Sequence, residues 1–154
     1  MLDAVDRRML AVLQAEGRIT NQDLAERVGL SPTPCLRRLK RLEESGVITG
    51  YAAQVDPKAY GLPFSVFVSV RLLQQMRDQI AEFERAVESW EEVTECYLMT
   101  GSQDYLLRVQ TDGIEGYERF LKQKVTQLRC IQSVQSNFAL ATIKRRTALP
   151  PVYS

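Results

Sequence analysis

The chain has 154 residues, with 20 lysine and arginine residues against 19 aspartate and glutamate residues, which gives a formal net charge of +1. This length allows one domain or two small ones and excludes a large multilayer enzyme. Its apolar stretches are far shorter than the roughly 20 residues that a membrane helix needs, and its acidic start is unlike an export signal. We therefore expect a cytoplasmic protein without a membrane segment.

The sequence contains no histidine, so the commonest general base and metal ligand is missing. Its three cysteines, Cys35, Cys96 and Cys130, stand far apart and form no CxxC pair, which favours reduced thiols over a disulfide framework or a zinc site. There is also no phosphate-binding loop and no pair of carboxylates beside a nucleophile. We therefore predict no catalytic residues, no metal and no cofactor, and expect that the protein is not an enzyme.

The apolar periodicity of the first 50 residues predicts three helices. The first helix spans Asp3 to Ala15. Thr20 or Asn21 caps a second helix that stops at Gly29, and Ser31 caps a third helix that begins directly afterwards. Two short helices joined by a tight glycine turn form a helix-turn-helix unit.

The third helix, SPTPCLRRLKRLEESG, has a strongly basic exposed face. At 100° per residue, Cys35, Leu39 and Leu42 share one apolar stripe while the cations point away from it. A basic face is most often only solvated, but the second helix of a helix-turn-helix places its first turns in a major groove, where arginine binds guanine or phosphate. The predicted double-stranded DNA contacts are Ser31, Thr33, Pro34, Arg37, Arg38, Lys40 and Arg41.

A change of pattern separates this region from the rest of the chain. The segment VITGYAAQVD is typical of a short strand or wing. In DPKAYGLP, prolines and a glycine interrupt regular structure, which is typical of a linker. We therefore predict a DNA-binding domain at residues 1–50, a wing strand and linker at 51–63, and a second domain at 64–154.

The second domain is predicted to have the order βαββαβ. Strict alternation marks a strand from Phe64 to Leu72, and steps of three and four indicate helices from Met76 to Trp90 and from Ile114 to Leu128. The remaining strands are predicted at Val93 to Thr100, Tyr105 to Thr111 and Ile131 to Ile143. This order is the ferredoxin-like α+β arrangement, with both helices on one face of an antiparallel sheet.

The opposite face of that sheet is left uncovered. Alternation places Phe67, Leu106 and Arg108 on it, among polar neighbours. Such a face favours association with a second copy, and a two-fold homodimer would give the paired helix-turn-helix units that palindromic DNA requires.

Three stretches of the chain resemble the Lrp/AsnC (leucine-responsive, feast/famine) transcriptional regulators over nearly the whole length. They are LDAVDRRMLAVLQAEGRITNQDLAERVGLSPTPCLRRLKRLEESGVITGY, ECYLMTGSQDYLLRV and SNFALATIKRRTALP. The resemblance implies a winged helix-turn-helix domain tethered to an effector-binding domain of the RAM type, assembled as homodimers and as an octamer of four dimers.

The resemblance also implies that a small amino-acid effector binds between dimers, around the turn from Gly101 to Tyr105. There, Gly101 would let the backbone approach a ligand, and Asp104 could pair with an α-ammonium. The alternative is that both residues merely shape a hairpin turn. The candidate effector-binding residues are Met99, Thr100, Gly101, Ser102, Gln103, Asp104 and Tyr105, with Ser133 and Ser136 as weaker candidates.

The function predicted from these features is a sequence-specific transcriptional regulator whose assembly or DNA affinity responds to an amino acid. An alternative is an architectural protein that wraps DNA with little sequence preference. The two differ in the ratio of specific to random affinity and in the dependence of binding on salt.

Overall fold

A computed structural model of the chain describes residues 2–152, which divide into two compact units. The first comprises residues 2–53 together with 143–152, and the second comprises Gln54–Thr142. Residues 143–152 thus group with the first unit, whereas the predicted second domain included all of residues 64–154.

The first unit contains the three predicted helices. They are α1 (Ala4–Ala15), α2 (Asn21–Val28) and α3 (Pro32–Glu44). Thr20 caps α2, since its side chain accepts a hydrogen bond from the Asp23 N–H. The helices enclose a small apolar core of Met9, Leu24, Ala25, Val28, Cys35 and Leu42.

A left-handed glycine makes the turn between α2 and α3. Gly29 has φ of 73°, and its N–H bonds back to the last carbonyls of α2. Glycine adopts this conformation without the steric cost that a Cβ imposes. The turn allows α3 to begin at Pro32 and so completes the helix-turn-helix.

The segment after α3 differs from the prediction. Residues 45–48 form a turn and a bend, and residues 49–56 form neither helix nor strand, so the predicted wing strand is absent from the described chain. The predicted linker also holds a one-turn helix, α4 (Pro57–Tyr60), which Asp56 caps and Gly61 ends.

The second unit is a four-stranded antiparallel sheet with two helices. Its strand order is β2-β3-β1-β4, which confirms the ferredoxin-like arrangement. The elements are β1 (Phe64–Leu72), α5 (Arg77–Glu88), β2 (Val93–Leu98), β3 (Tyr105–Thr111), α6 (Ile114–Gln123), a 3-10 turn (Val125–Gln127) and β4 (Ile131–Phe138).

Two strands are shorter than predicted. β4 ends at Phe138 and not at Ile143, since its partner β1 begins at Phe64 and the preceding Pro63 has no N–H to offer. β2 ends at Leu98 because the chain turns there, with the Met99 N–H bonded to the Asp104 carbonyl at 2.8 Å.

The two faces of the sheet differ as alternation predicts. The helix-facing residues of β1 and β3 are buried among aromatic side chains of α5 and α6; they include Val66, Val68, Val70, Leu107 and Val109. On the opposite face, Phe67 is 38% exposed and Leu106 and Arg108 are half-buried.

Candidate nucleic-acid interface and effector turn

The exposed face of α3 carries the predicted DNA-contacting residues. Ser31, Thr33, Arg37, Lys40 and Arg41 are exposed, while Pro34 and Arg38 are half-buried. Cys35 and Leu42 are buried on the other side of the helix. The apolar stripe thus anchors α3 to the unit and leaves the basic side outward.

Two of the cations are held by an acid from α1. Asp6 is 1% exposed, and its carboxylate accepts hydrogen bonds from Arg38 Nη1 at 2.8 Å and from Arg41 Nη2 at 2.8 and 2.7 Å. Arg38 Nη1 also donates to Asp3 at 2.6 Å. These bonds restrict the rotamers of both arginines while leaving other guanidinium N–H groups for an external acceptor.

The acids at the start of α1 are tied to each other as well as to α3. Asp3 and Asp6 form a capping box, in which each side chain accepts from the other's backbone N–H. The Asp6 N–H bond and then Arg38 lower the pKa of Asp3 from 3.8 to about 2. Asp3 therefore stays ionised beside Arg38 at neutral pH.

Arg37 and Lys40 have no ion-pair partner among residues 2–152, in contrast to Arg38 and Arg41. A surface hollow is lined by Arg37, Arg38 and Arg41. Guanidinium groups converging on one hollow suit a phosphate, whose oxygens each accept several N–H bonds. The geometry therefore fits a polyanion on this face.

Asp3 and Asp6 are not among the site residues predicted from the sequence. Their spacing of three residues before an apolar run is a recognisable capping signal. The contact of Asp6 with arginines 32 and 35 residues further on has no local signal in the sequence.

The candidate effector turn joins β2 to β3. Gly101 has φ of 116°, which strongly favours glycine. The turn is closed by the Met99–Asp104 backbone bond and is joined to β1 by the Asp104 N–H, which donates to the Val70 carbonyl at 2.9 Å. The structure thus brings Met99 through Tyr105 together at one end of the sheet.

The carboxylate of Asp104 has partners within its own unit. One oxygen accepts from the Leu72 N–H and the other from the Gln75 side-chain amide, each at 2.7 Å. Asp104 therefore stabilises the turn, as the alternative interpretation expected. Each carboxylate oxygen keeps a further lone pair for another donor.

The turn also has polar groups without partners. Across the described residues, the backbone N–H groups of residues 100–103 have no hydrogen-bond acceptor, and the buried Oε1 atom of Gln103 has no donor. An amino acid offers the complementary groups, because its carboxylate accepts and its ammonium donates.

The other candidates lie apart from these groups. Tyr105 is 2% exposed, and its hydroxyl donates to Glu84 at 2.8 Å. Burial and then Glu84 raise its pKa. Ser136 contacts the Tyr117 hydroxyl in the middle of the sheet, whereas Ser133 pairs with Arg71 near the end that carries the turn.

Neither a metal centre nor a membrane span emerges from the described part of the chain. Residues 2–152 contain no group of three or more potential protein ligands that could hold a metal ion. None of their helices is both long and apolar enough to cross a bilayer.

Comparison with known proteins identifies the family. Residues 65–149 match the Lrp/AsnC ligand binding domain, and residues 2–49 match a winged helix-turn-helix DNA-binding domain. The chain belongs to the Lrp/AsnC family. It is therefore a transcriptional regulator, with a DNA-binding domain and an amino-acid ligand-binding domain, and not an enzyme.

Full-length relatives support the Lrp/AsnC assignment. The chain is 41% identical over 149 residues to the Bkd operon transcriptional regulator of Pseudomonas aeruginosa, covering 97% of each protein. It is 37% identical over 148 residues to the leucine-responsive regulatory protein of Escherichia coli, covering 96% of the chain and 90% of that protein.

A solved structure of similar sequence has the same fold. A transcriptional regulator from Neisseria meningitidis, in complex with L-methionine, matches with a TM-score of 0.93 and 39% identity over 97% of both chains. The AsnC family regulator from Agrobacterium tumefaciens matches with a TM-score of 0.92 and 40% identity over 97% of both.

Proposed function

We propose that α3 binds in the major groove, with Arg37 and Lys40 as its main contacts. The observation that carries this proposal is that both side chains are exposed and have no ion-pair partner in residues 2–152. Arg38 and Arg41, oriented by Asp6, bind phosphate through their remaining N–H groups. Ser31, Thr33 and Pro34 face DNA from the first turn, where recognition helices approach base edges.

Alanine substitutions at Arg37 and Lys40 test this assignment, with Arg27→Ala as the control. Arg27 is an exposed cation of α2 paired with Glu16. Removal of a base-reading arginine costs roughly 1–3 kcal/mol on the preferred sequence, whereas removal of a phosphate-binding cation weakens all sequences alike. Affinities for a selected duplex and a random duplex distinguish these roles. Equal affinity of all three variants and the wild type would exclude α3 as the DNA-contacting helix.

The same titrations decide between specific regulation and architectural wrapping. A specific regulator binds its preferred site about 10³–10⁷ times more tightly than random DNA at physiological salt. Selection of duplexes from a random pool supplies the preferred site. A ratio near one after selection would favour wrapping with low sequence preference.

We further propose that the turn from Met99 to Asp104 binds an amino acid with an apolar side chain. The unpartnered N–H groups of residues 100–103 receive its carboxylate, and Gln103 Oε1 and Asp104 receive its ammonium. The choice of an apolar side chain is supported by the L-methionine complex of the neisserial regulator and the leucine-responsive relatives. Tyr105 supports the turn from the core. Ser133 and Ser136 contact the effector from the same or a neighbouring subunit.

Thermal-shift measurements against the twenty amino acids identify the effector, since a ligand of the native state raises stability by RT ln(1 + [L]/Kd).

Asp104→Asn then tests the ammonium site, because it keeps an oxygen for the Leu72 N–H while removing the charge. We expect at least a tenfold weaker response to the effector and unchanged DNA affinity without it. A variant that responds as the wild type does would place the ammonium elsewhere.

We propose that the chain forms homodimers through the uncovered sheet face, and that four dimers form an octamer. The partly exposed apolar side chains on that face support this interface. Because a DNA-binding regulator acts in the compartment that holds the chromosome, we propose a cytoplasmic location.

A further inference from the structure

The net charge of +1 conceals an uneven distribution between the two units. Residues 2–53 carry eight cationic and seven acidic side chains, and Gln54–Thr142 carries nine cationic and twelve acidic ones. The remaining three cations, Lys144, Arg145 and Arg146, are consecutive, and residues 143–152 contain no acid. The first unit thus has a net charge of +4, and three of these four charges come from its C-terminal segment.

This basic segment, residues 143–152, belongs to the unit that contains the helix-turn-helix. The Leu149 N–H donates to Gln14 Oε1 on α1 at 2.7 Å. Since a residue spans at most about 3.6 Å, the Cα atom of Arg146 lies within about 11 Å of that of Leu149, and that of Lys144 within about 18 Å. The segment that carries the three cations is therefore anchored to the C-terminal end of α1, within the unit that contains α3.

The three cations have no ionic partner in the part of the chain that the structure describes. All are exposed, and none forms an ion pair with any residue in 2–152. The segment lacks helix and strand, and its Leu140 and Ile143 neighbours are 99% and 93% exposed. Three adjacent unpaired cations create a local positive potential that attracts a polyanion.

We propose that Lys144, Arg145 and Arg146 form a second DNA-contacting element, which binds phosphates without reading sequence. This inference rests on the proposed DNA binding by α3. Both elements belong to one compact unit, and backbone contacts of this kind position a recognition helix while base contacts supply specificity. The segment therefore raises affinity for every duplex by the same factor.

Salt dependence measures how many phosphates the protein neutralises. The slope of log K against log [salt] falls in magnitude by about 0.9 for each phosphate that is no longer neutralised. We would compare the full-length wild type with the triple variant K144Q/R145Q/R146Q, titrating a random-sequence duplex from 50 to 200 mM KCl. We expect a slope smaller by about 0.9 to 2.7 per chain and an unchanged ratio of selected to random affinity.

A matched control separates local binding from overall charge. The triple variant K58Q/R77Q/R129Q removes three exposed cations of the other unit that, like the tested ones, form no ion pair with any residue in 2–152, and we expect it to keep the wild-type slope. An unchanged slope in the C-terminal variant, or an equal decrease in the control, would overturn the proposal. So would a decrease accompanied by dissociation of the assembly in sedimentation, because reduced avidity would then explain it.

The variants of α3 keep the two proposals apart. If Arg37→Ala and Lys40→Ala weaken binding but the C-terminal variant has the wild-type slope, only the second element is refuted. If the wild type binds no duplex, the proposed function itself fails.

Discussion

At the scale of single residues, Asp6 is the charged side chain that the first unit buries. Its carboxylate is 1% exposed and receives hydrogen bonds from two arginines and from the start of its own helix. A buried charge is stable only when it is paired and hydrogen-bonded, and loss of one partner leaves the others uncompensated. Asp6 therefore links the stability of this unit to the geometry of the arginines on α3.

We predict that Asp6→Asn lowers the free energy of unfolding of the first unit by about 2 kcal/mol. This value is below the 3–5 kcal/mol typical of a broken buried pair, because both arginines keep contact with water. Urea denaturation measures the loss. Glu16→Gln breaks the exposed pair with Arg27 and should cost less than about 1 kcal/mol. Equal losses for the two variants would contradict a special role for Asp6.

Asp3 provides a prediction for acidic pH. Its pKa is lowered from 3.8 to about 2 in the folded chain, so its contribution is complete above pH 4 and is lost as the pH falls towards 2. The urea midpoints of the wild type and Asp3→Asn should therefore differ at pH 5 and converge near pH 2. Comparing the two proteins at each pH cancels the contribution of the other carboxylates to the pH dependence of stability. A constant difference over this range would rule out the lowered pKa.

At the scale of elements, the helix-turn-helix depends on where each helix stops. Gly29 ends α2 in a left-handed conformation, and a Cβ built on it would meet no atom within 4 Å. The constraint at this position is therefore conformational and not steric crowding. The start of α3, and with it the direction of the basic face, depends on that backbone angle.

We predict that Gly29→Ala destabilises the first unit by about 1–2 kcal/mol, the usual cost of a left-handed L-residue. Gly17→Ala is the control, since its Cβ would make an ordinary contact at 3.6 Å with Tyr51 and its φ is not positive. We expect that control to change stability by less than about 0.5 kcal/mol. Thermal unfolding of both variants tests the prediction, which fails if Gly29→Ala is as stable as the control.

At the scale of the whole molecule, the net positive charge and the uncovered sheet face belong to different units. The helix-turn-helix unit is cationic, and the sheet unit is acidic with an uncovered face. On that face, Arg108 pairs with Glu95 at 2.9 Å beside the partly exposed Phe67. The first unit therefore suits a polyanion, and the second suits a further protein surface.

We predict that Phe67→Asp disrupts the homodimer, because it would bury a charge in the proposed interface. Ile114→Asp is the matched control, since Ile114 is 53% exposed at the start of α6, on the helix side of the sheet. Sedimentation velocity at micromolar concentration should show smaller species for the first variant and the wild-type species for the second. If both variants sediment as the wild type does, the interface does not use this sheet face.

The sequence by itself determined the order and nature of the elements. Helical and alternating periodicities are properties of neighbouring residues, so they located α1 to α3 and the βαββαβ order, and placed Phe67 and Arg108 on the uncovered face. The basic face of α3 followed in the same way, as did the tight turn at Gly29. The resemblance to Lrp/AsnC regulators then pointed to the turn at Gly101.

Only the tertiary structure decided which groups have partners. Asp6 meets Arg38 across 32 residues, and Asp104 meets the Leu72 N–H across the same separation. The end of β4 was set by the length of β1, and the C-terminal cations joined the first unit through Leu149 and Gln14. Such contacts depend on how elements pack in space, and no local pattern encodes which distant side chain or strand will be adjacent.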